Sequence, residues 1–91
     1  MKGAIMSRLE KALQRLKNIP KDYAYSEAKY LLGQLGFIEH NKGKTSGSRV
    51  MFYRVSDGEK ILLHKPHPRD IMSVASVHDL VDTLKEIGEI E

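Results

Sequence analysis

The stretch from Arg49 to His64 constrains the fold of this chain most. Arg49 to Val55 sets Val50 and Phe52 against Arg49, Met51 and Tyr53, so it reads as a strand with one apolar and one mixed face. Ser56-Asp57-Gly58-Glu59 follows, and Asp-Gly supplies the positive φ that a hairpin turn needs. Lys60 to His64 is the returning strand. Pro66 and Pro68 end the pairing, because proline cannot donate to a ladder. A hairpin with an apolar face does not stand alone in water, so other elements must cover it.

Helical patterns lie on both sides. Ile5, Leu9, Ala12, Leu13 and Leu16 recur at helical spacing over Ala4 to Lys17, and Ser7 with Glu10 could form a capping box if the first turn frays. Ile19-Pro20 stops this helix, since the residue before proline is pushed out of the helical region. A second helix is expected from an N-cap near Ser26, burying Ala28, Leu31, Leu32 and Leu35, with Gly36 as the residue just past its end. Gly33 inside it should cost about 1 kcal/mol relative to alanine and points to close helix packing. Phe37 to His40 is a short strand, and residues 41 to 48 form a polar loop. The last helix is expected after Ser76, with Asp79 as capping partner and Val77, Leu80, Val81, Leu84 and Ile87 buried, while Ile71 to Ala75 is ambiguous and could form a short helical turn. The expected fold is α+β in the order α-α-β-β-β-α, a three-stranded antiparallel sheet with the helices on one face. Residues 1–20 are expected to form an additional N-terminal helix and residues 21–91 the main unit of a single compact domain.

Charge is unevenly distributed. Residues 42 to 69 carry seven lysines and arginines against two carboxylates, whereas residues 70 to 91 carry one lysine against six carboxylates. The central block is thus a footprint for an anion, or else a solvated basic face. The absence of cysteine excludes a disulfide framework, thiol catalysis and thiolate zinc sites. No apolar run approaches the roughly 20 residues that span a bilayer, and no signal-like segment follows Met1, so a cytoplasmic protein without membrane contact is expected.

Within the basic block, Gly43-Lys44-Thr45-Ser46-Gly47-Ser48-Arg49 sets small residues beside cations, and His64-Lys65-Pro66-His67-Pro68 follows the hairpin. Small residues let a backbone approach a ligand closely, cations hold phosphate, and imidazole moves protons near neutral pH. Metal-independent RNA cleavage needs those parts. The candidate RNA contacts are Lys42, Lys44, Ser48, Arg54 and Lys65, and Met51 and Tyr53 could stack a base or pack against a helix. His64 and His67 read either as acid and base or as a sheet-edge residue and a loop residue. Two histidines without cysteine make a poor metal site, and no metal or cofactor is expected. His40 and His78 read as surface residues. Gly43-Lys44-Thr45 lacks the upstream glycine spacing and following helix of a phosphate-binding loop, which excludes nucleotide hydrolysis.

From about Tyr25 to Ile87 the chain resembles the HicA family of toxins from toxin–antitoxin pairs. The resemblance is carried by the helix leading into Leu35-Gly36-Phe37, by Gly47-Ser48 at the head of a strand, by the hairpin and by the C-terminal helix. It implies a fold similar to a double-stranded-RNA-binding domain, a metal-independent mRNA interferase activity and a HicB-like antitoxin as partner, with RNA as the second partner. The chain departs from the family at one place. The family's histidine after Gly-Ser is here Arg49, which cannot act as a general base but can hold phosphate and stabilise transition-state charge. Arg49 therefore joins His64 and His67 as the expected catalytic set. The other readings are a non-catalytic RNA-binding or antitoxin-binding domain of the same fold, and a protein-interaction module whose basic face docks an acidic partner.

Overall fold

The computed structural model describes residues 7 to 40 and 49 to 90. Its elements are α1 (Arg8–Lys17), α2 (Tyr25–Gln34), β1 (Phe37–His40), β2 (Arg49–Arg54), β3 (Lys60–His64) and α3 (Val74–Glu86). The expected α-α-β-β-β-α order is the observed one. Both ladders are antiparallel and the sheet order is β1-β2-β3, so β2 is central and β1 and β3 are edges.

Local chemistry sets the helix ends. Ser7 and Glu10 close the capping box at α1: the Ser7 hydroxyl accepts from the Glu10 N–H at 3.1 Å, and the Glu10 carboxylate accepts from the Ser7 N–H at 3.0 Å. Past α1, Ile19 adopts φ 50°, a left-handed conformation unusual for a β-branched residue, while its side chain packs against the core. Helix α2 starts two residues earlier than the Ser26 cap predicts. Its N-cap is Ala24, whose N–H donates to the Glu27 carboxylate at 3.1 Å. A distant residue completes this end: Asp70 accepts from the Tyr25 N–H through its carbonyl at 2.7 Å and from the Ser26 N–H through its carboxylate at 3.2 Å. Gly36 ends α2 at φ 95°, and a Cβ there would meet the Arg54 side chain at 3.3 Å. Gly33 is exposed, and a Cβ at that position would find no described atom within 4 Å, so this glycine does not serve close packing.

The start of α3 also differs from the sequence expectation. Ser73, not Ser76, is the N-cap, its hydroxyl accepting from the Ser76 N–H at 3.1 Å, and Asp79 plays no capping part. Ile71 pairs with Ala24 in an isolated antiparallel bridge, and the buried Met72 donates its N–H to the Tyr23 carbonyl at 2.8 Å. The segment before α3 is therefore extended and tied to the entrance of α2.

One core joins the helices to the inner sheet face. Val50, Phe52, Ile61 and Leu63 alternate inward and meet Tyr25, Leu31, Leu32, Val77, Leu80 and Leu84. The Tyr25 and Phe52 rings lie 6.5 Å apart, tilted by 56°. Leu16 of α1 is fully buried in the same cluster. Burying a leucine side chain stabilises by roughly 1.5–3 kcal/mol, so α1 is part of this core. Arg15 ties it further, donating to the two Glu27 oxygens at 2.6 and 3.0 Å, and holds that carboxyl below the usual carboxylate range. The hydroxyls of Tyr23 and Tyr25 are buried without a partner among the described residues, and burial pushes both up to about 12. No helix among the described residues is long and apolar enough to cross a membrane.

Candidate nucleic-acid interface

The strand alternation that buries Val50 and Phe52 turns Arg49, Met51 and Tyr53 to the opposite face, which no helix among the described residues covers. Register then decides which side chains stand together. Arg49 is opposite His64, Met51 opposite Leu62 and Tyr53 opposite Lys60 across β2 and β3, while His40 is opposite Met51 and Ile38 opposite Tyr53 across β1 and β2. The open face has three rows. Its middle is apolar, with Ile38 57% and Leu62 59% exposed and Met51 and Tyr53 half-buried. Arg49, His40, His64 and Lys60 surround that centre, all exposed.

Among the described residues, no carboxylate alternates onto this face. Glu39 falls on the inward parity opposite Phe52, and Lys29 lies 3.2 Å from its carboxylate. Arg49 forms no ion pair with any described residue. An exposed guanidinium beside an exposed imidazole, with no neutralising acid, favours a ligand that brings its own negative charge.

His64 also stands at a corner. It lines a shallow groove between β3 and α3 whose far wall carries Ser76, Asp79 and Thr83. The carboxylate of Asp79 in that groove makes it a poorer place for an anion than the open face. Beyond β3, Lys65 and His67 are both exposed in the segment that leads to the Asp70 cap. The expected contacts Lys42, Lys44 and Ser48 lie outside the described residues.

Arg54 is the site residue that the structure removes from the RNA-contact set. It shares the inward parity of Val50 and Phe52 and is 9% exposed. Its Nε and Nη2 donate to the two Asp57 oxygens at 3.0 and 2.7 Å, and its Nη1 donates to Glu89 at 2.7 Å and to the Leu35 carbonyl at 3.0 Å. The guanidinium also lies 4.6 Å from the Phe37 ring centre. Arg54 holds the Asp57 carboxyl below the usual carboxylate range. Four of its five N–H donors are engaged, so this cation fastens the hairpin turn and the end of α3 to the α2–β1 junction. The period-two alternation carries the signal for this placement. Lys60 is not among the contacts expected from sequence, and His40 reads there only as a surface residue; shared parity and register place both on the open face.

On α3, His78, Asp79 and Asp82 are exposed with potential ligand atoms within 4.8 Å of one another, and His78 Nδ1 lies 3.2 Å from Asp82. His78 falls in the second turn, since α3 begins at Val74. Comparison with protein-family models, with curated proteins and with solved structures finds no match for this chain.

Proposed function

We propose that this chain is a metal-independent endoribonuclease, the toxin of a toxin–antitoxin pair, that holds RNA on the open sheet face and acts at the Arg49–His64 row. The observation that supports this most is the register that sets Arg49 directly opposite His64 on an exposed face that carries no carboxylate among the described residues. Arg49 would hold the non-bridging oxygens of the scissile phosphate and stabilise charge gathering there. The 2′ oxygen attacks phosphorus and gives its proton to His64 as the O–P bond forms. The bond from phosphorus to the 5′ oxygen breaks, and that oxygen takes a proton from His67. The products are a 2′,3′-cyclic phosphate and a 5′-hydroxyl, with no other reactant consumed.

The toxin–antitoxin assignment draws on the resemblance to the HicA family. A HicB-like antitoxin would silence the protein by covering the basic face, with carboxylates set against Arg49, His64 and Lys65. The presence of Arg49 where that family has histidine favours a second reading, an RNA-binding domain of the same layout that does not cleave.

Arg49→Ala tests the phosphate contact. Losing one such contact should weaken RNA binding and flatten the log–log dependence of affinity on salt by roughly 0.7 for a single strand. Unchanged affinity and slope would remove Arg49 from the site.

A further inference from the structure

We infer that the open sheet face takes single-stranded RNA with bases lying flat on Tyr53, Met51 and Leu62, and that the Tyr53–Lys60 row is a second nucleotide subsite beside the Arg49–His64 row. This rests on the ribonuclease reading and deepens it.

The face combines two features that few ligands match together. Its apolar part exposes more than half of Leu62 and Ile38, and its rim carries the cations Arg49 and Lys60 beside the imidazoles of His40 and His64. A free phosphate would satisfy the rim and leave the apolar centre in water. Duplex RNA presents phosphates and 2′-hydroxyls outward and keeps its base faces stacked inside, so it too has nothing for the centre. A single strand offers both charge and planar apolar faces, and stacking on side chains is indifferent to base identity.

Spacing agrees. Two residues along an antiparallel strand advance about 7 Å, so Lys60 and Tyr53 stand about 14 Å along the sheet from the Arg49–His64 row, with Met51–Leu62 midway. Two nucleotides of an extended strand cover that span. A phosphate held at Arg49 thus leaves a neighbouring base over Met51 and Leu62, the next over Tyr53, and a second phosphate within reach of Lys60. Tyr53 is here a positioning residue: it fixes where the strand lies and takes no part in bond breaking.

The probe is a short 2′-O-methyl oligonucleotide, which has no 2′-hydroxyl to attack phosphorus and is not cleaved, used intact, as a blunt duplex, and with one abasic nucleotide moved along it. Binding is read by fluorescence anisotropy, and each variant is checked by its thermal melt. The full chain is expected to bind the single strand more tightly than the duplex, and one abasic position should weaken it by roughly 5- to 100-fold. Tyr53→Ala should weaken the intact strand by a similar factor and make that abasic position nearly silent, while Tyr53→Phe binds as the natural chain does. If Tyr53→Ala fails to fold, the abasic scan on the natural chain still decides. Tight binding with no sensitive abasic position, a preference for duplex, or a preference for a carboxylate-rich peptide overturns the inference, the last assigning the face to a protein partner. Cleavage that depends on His64 while no abasic position matters would overturn stacking and leave the ribonuclease reading standing. Stacking without any dependence of cleavage on Arg49 or His64 would do the reverse.

Discussion

His64→Ala is expected to slow RNA cleavage by on the order of 10²- to 10⁴-fold while the protein stays folded. The side chain is exposed at the end of β3 and belongs to no buried cluster, so its removal leaves the core untouched. The loss should fall on the chemical step, with substrate affinity little changed, because Arg49 and the apolar rows remain. Arg49→Ala, in contrast, should reduce both. Cleavage by the natural chain should persist in EDTA and leave a 2′,3′-cyclic phosphate, as proton transfer between 2′-hydroxyl, imidazole and leaving oxygen requires. Full activity in a variant lacking both His64 and His67 would exclude this chemistry and direct attention to His40, which shares the open face.

Arg54→Ala is expected to destabilise the fold by about 2–4 kcal/mol. Three acceptors lose their donor at once: Asp57 in the turn, Glu89 beyond α3 and the Leu35 carbonyl at the end of α2. For a domain of this size the melting temperature moves by roughly 4–8 °C per kcal/mol, so calorimetry resolves the effect easily. Arg54→Lys should recover part of the loss at most, because an ammonium cannot reproduce the two parallel bonds to Asp57. The same variants should leave the salt dependence of RNA binding unchanged at temperatures where they are folded. A flatter slope in a stable Arg54→Ala protein would return Arg54 to the RNA-contact set.

The parts legible in the sequence are those set by neighbours along the chain. Ser7 and Glu10 announce the α1 cap, Gly36 the end of α2, and Asp57-Gly58 the hairpin, with Gly58 at φ 73°. The start of α3 is not legible because two overlapping patterns compete there: Ser76 with Asp79 looks like a capping pair, yet Ser73 caps. The bridge from Ile71 to Ala24 and the burial of Met72 tie the preceding segment down, and both depend on residues more than forty positions away. The role of Asp70 at α2 is hidden for the same reason. Within the site, alternation places Arg49, Met51 and Tyr53 on one face, but the partner of each depends on turn length. β2 ends at Arg54 and leaves Val55 exposed in the turn, which sets Arg49 opposite His64. For Arg54 charge and parity point opposite ways, charge toward RNA and parity toward the core, and parity decides.

The central claim is that RNA meets this protein on the open sheet face. An NMR titration of isotope-labelled protein with the uncleavable single-stranded oligonucleotide tests it most directly. The expected result is a set of saturable shifts at His40, Arg49, Met51, Tyr53, Leu62 and His64, with α1 and the outer surface of α3 silent. Shifts confined to α1 and α3, with the sheet rows unmoved at saturating oligonucleotide, would contradict it.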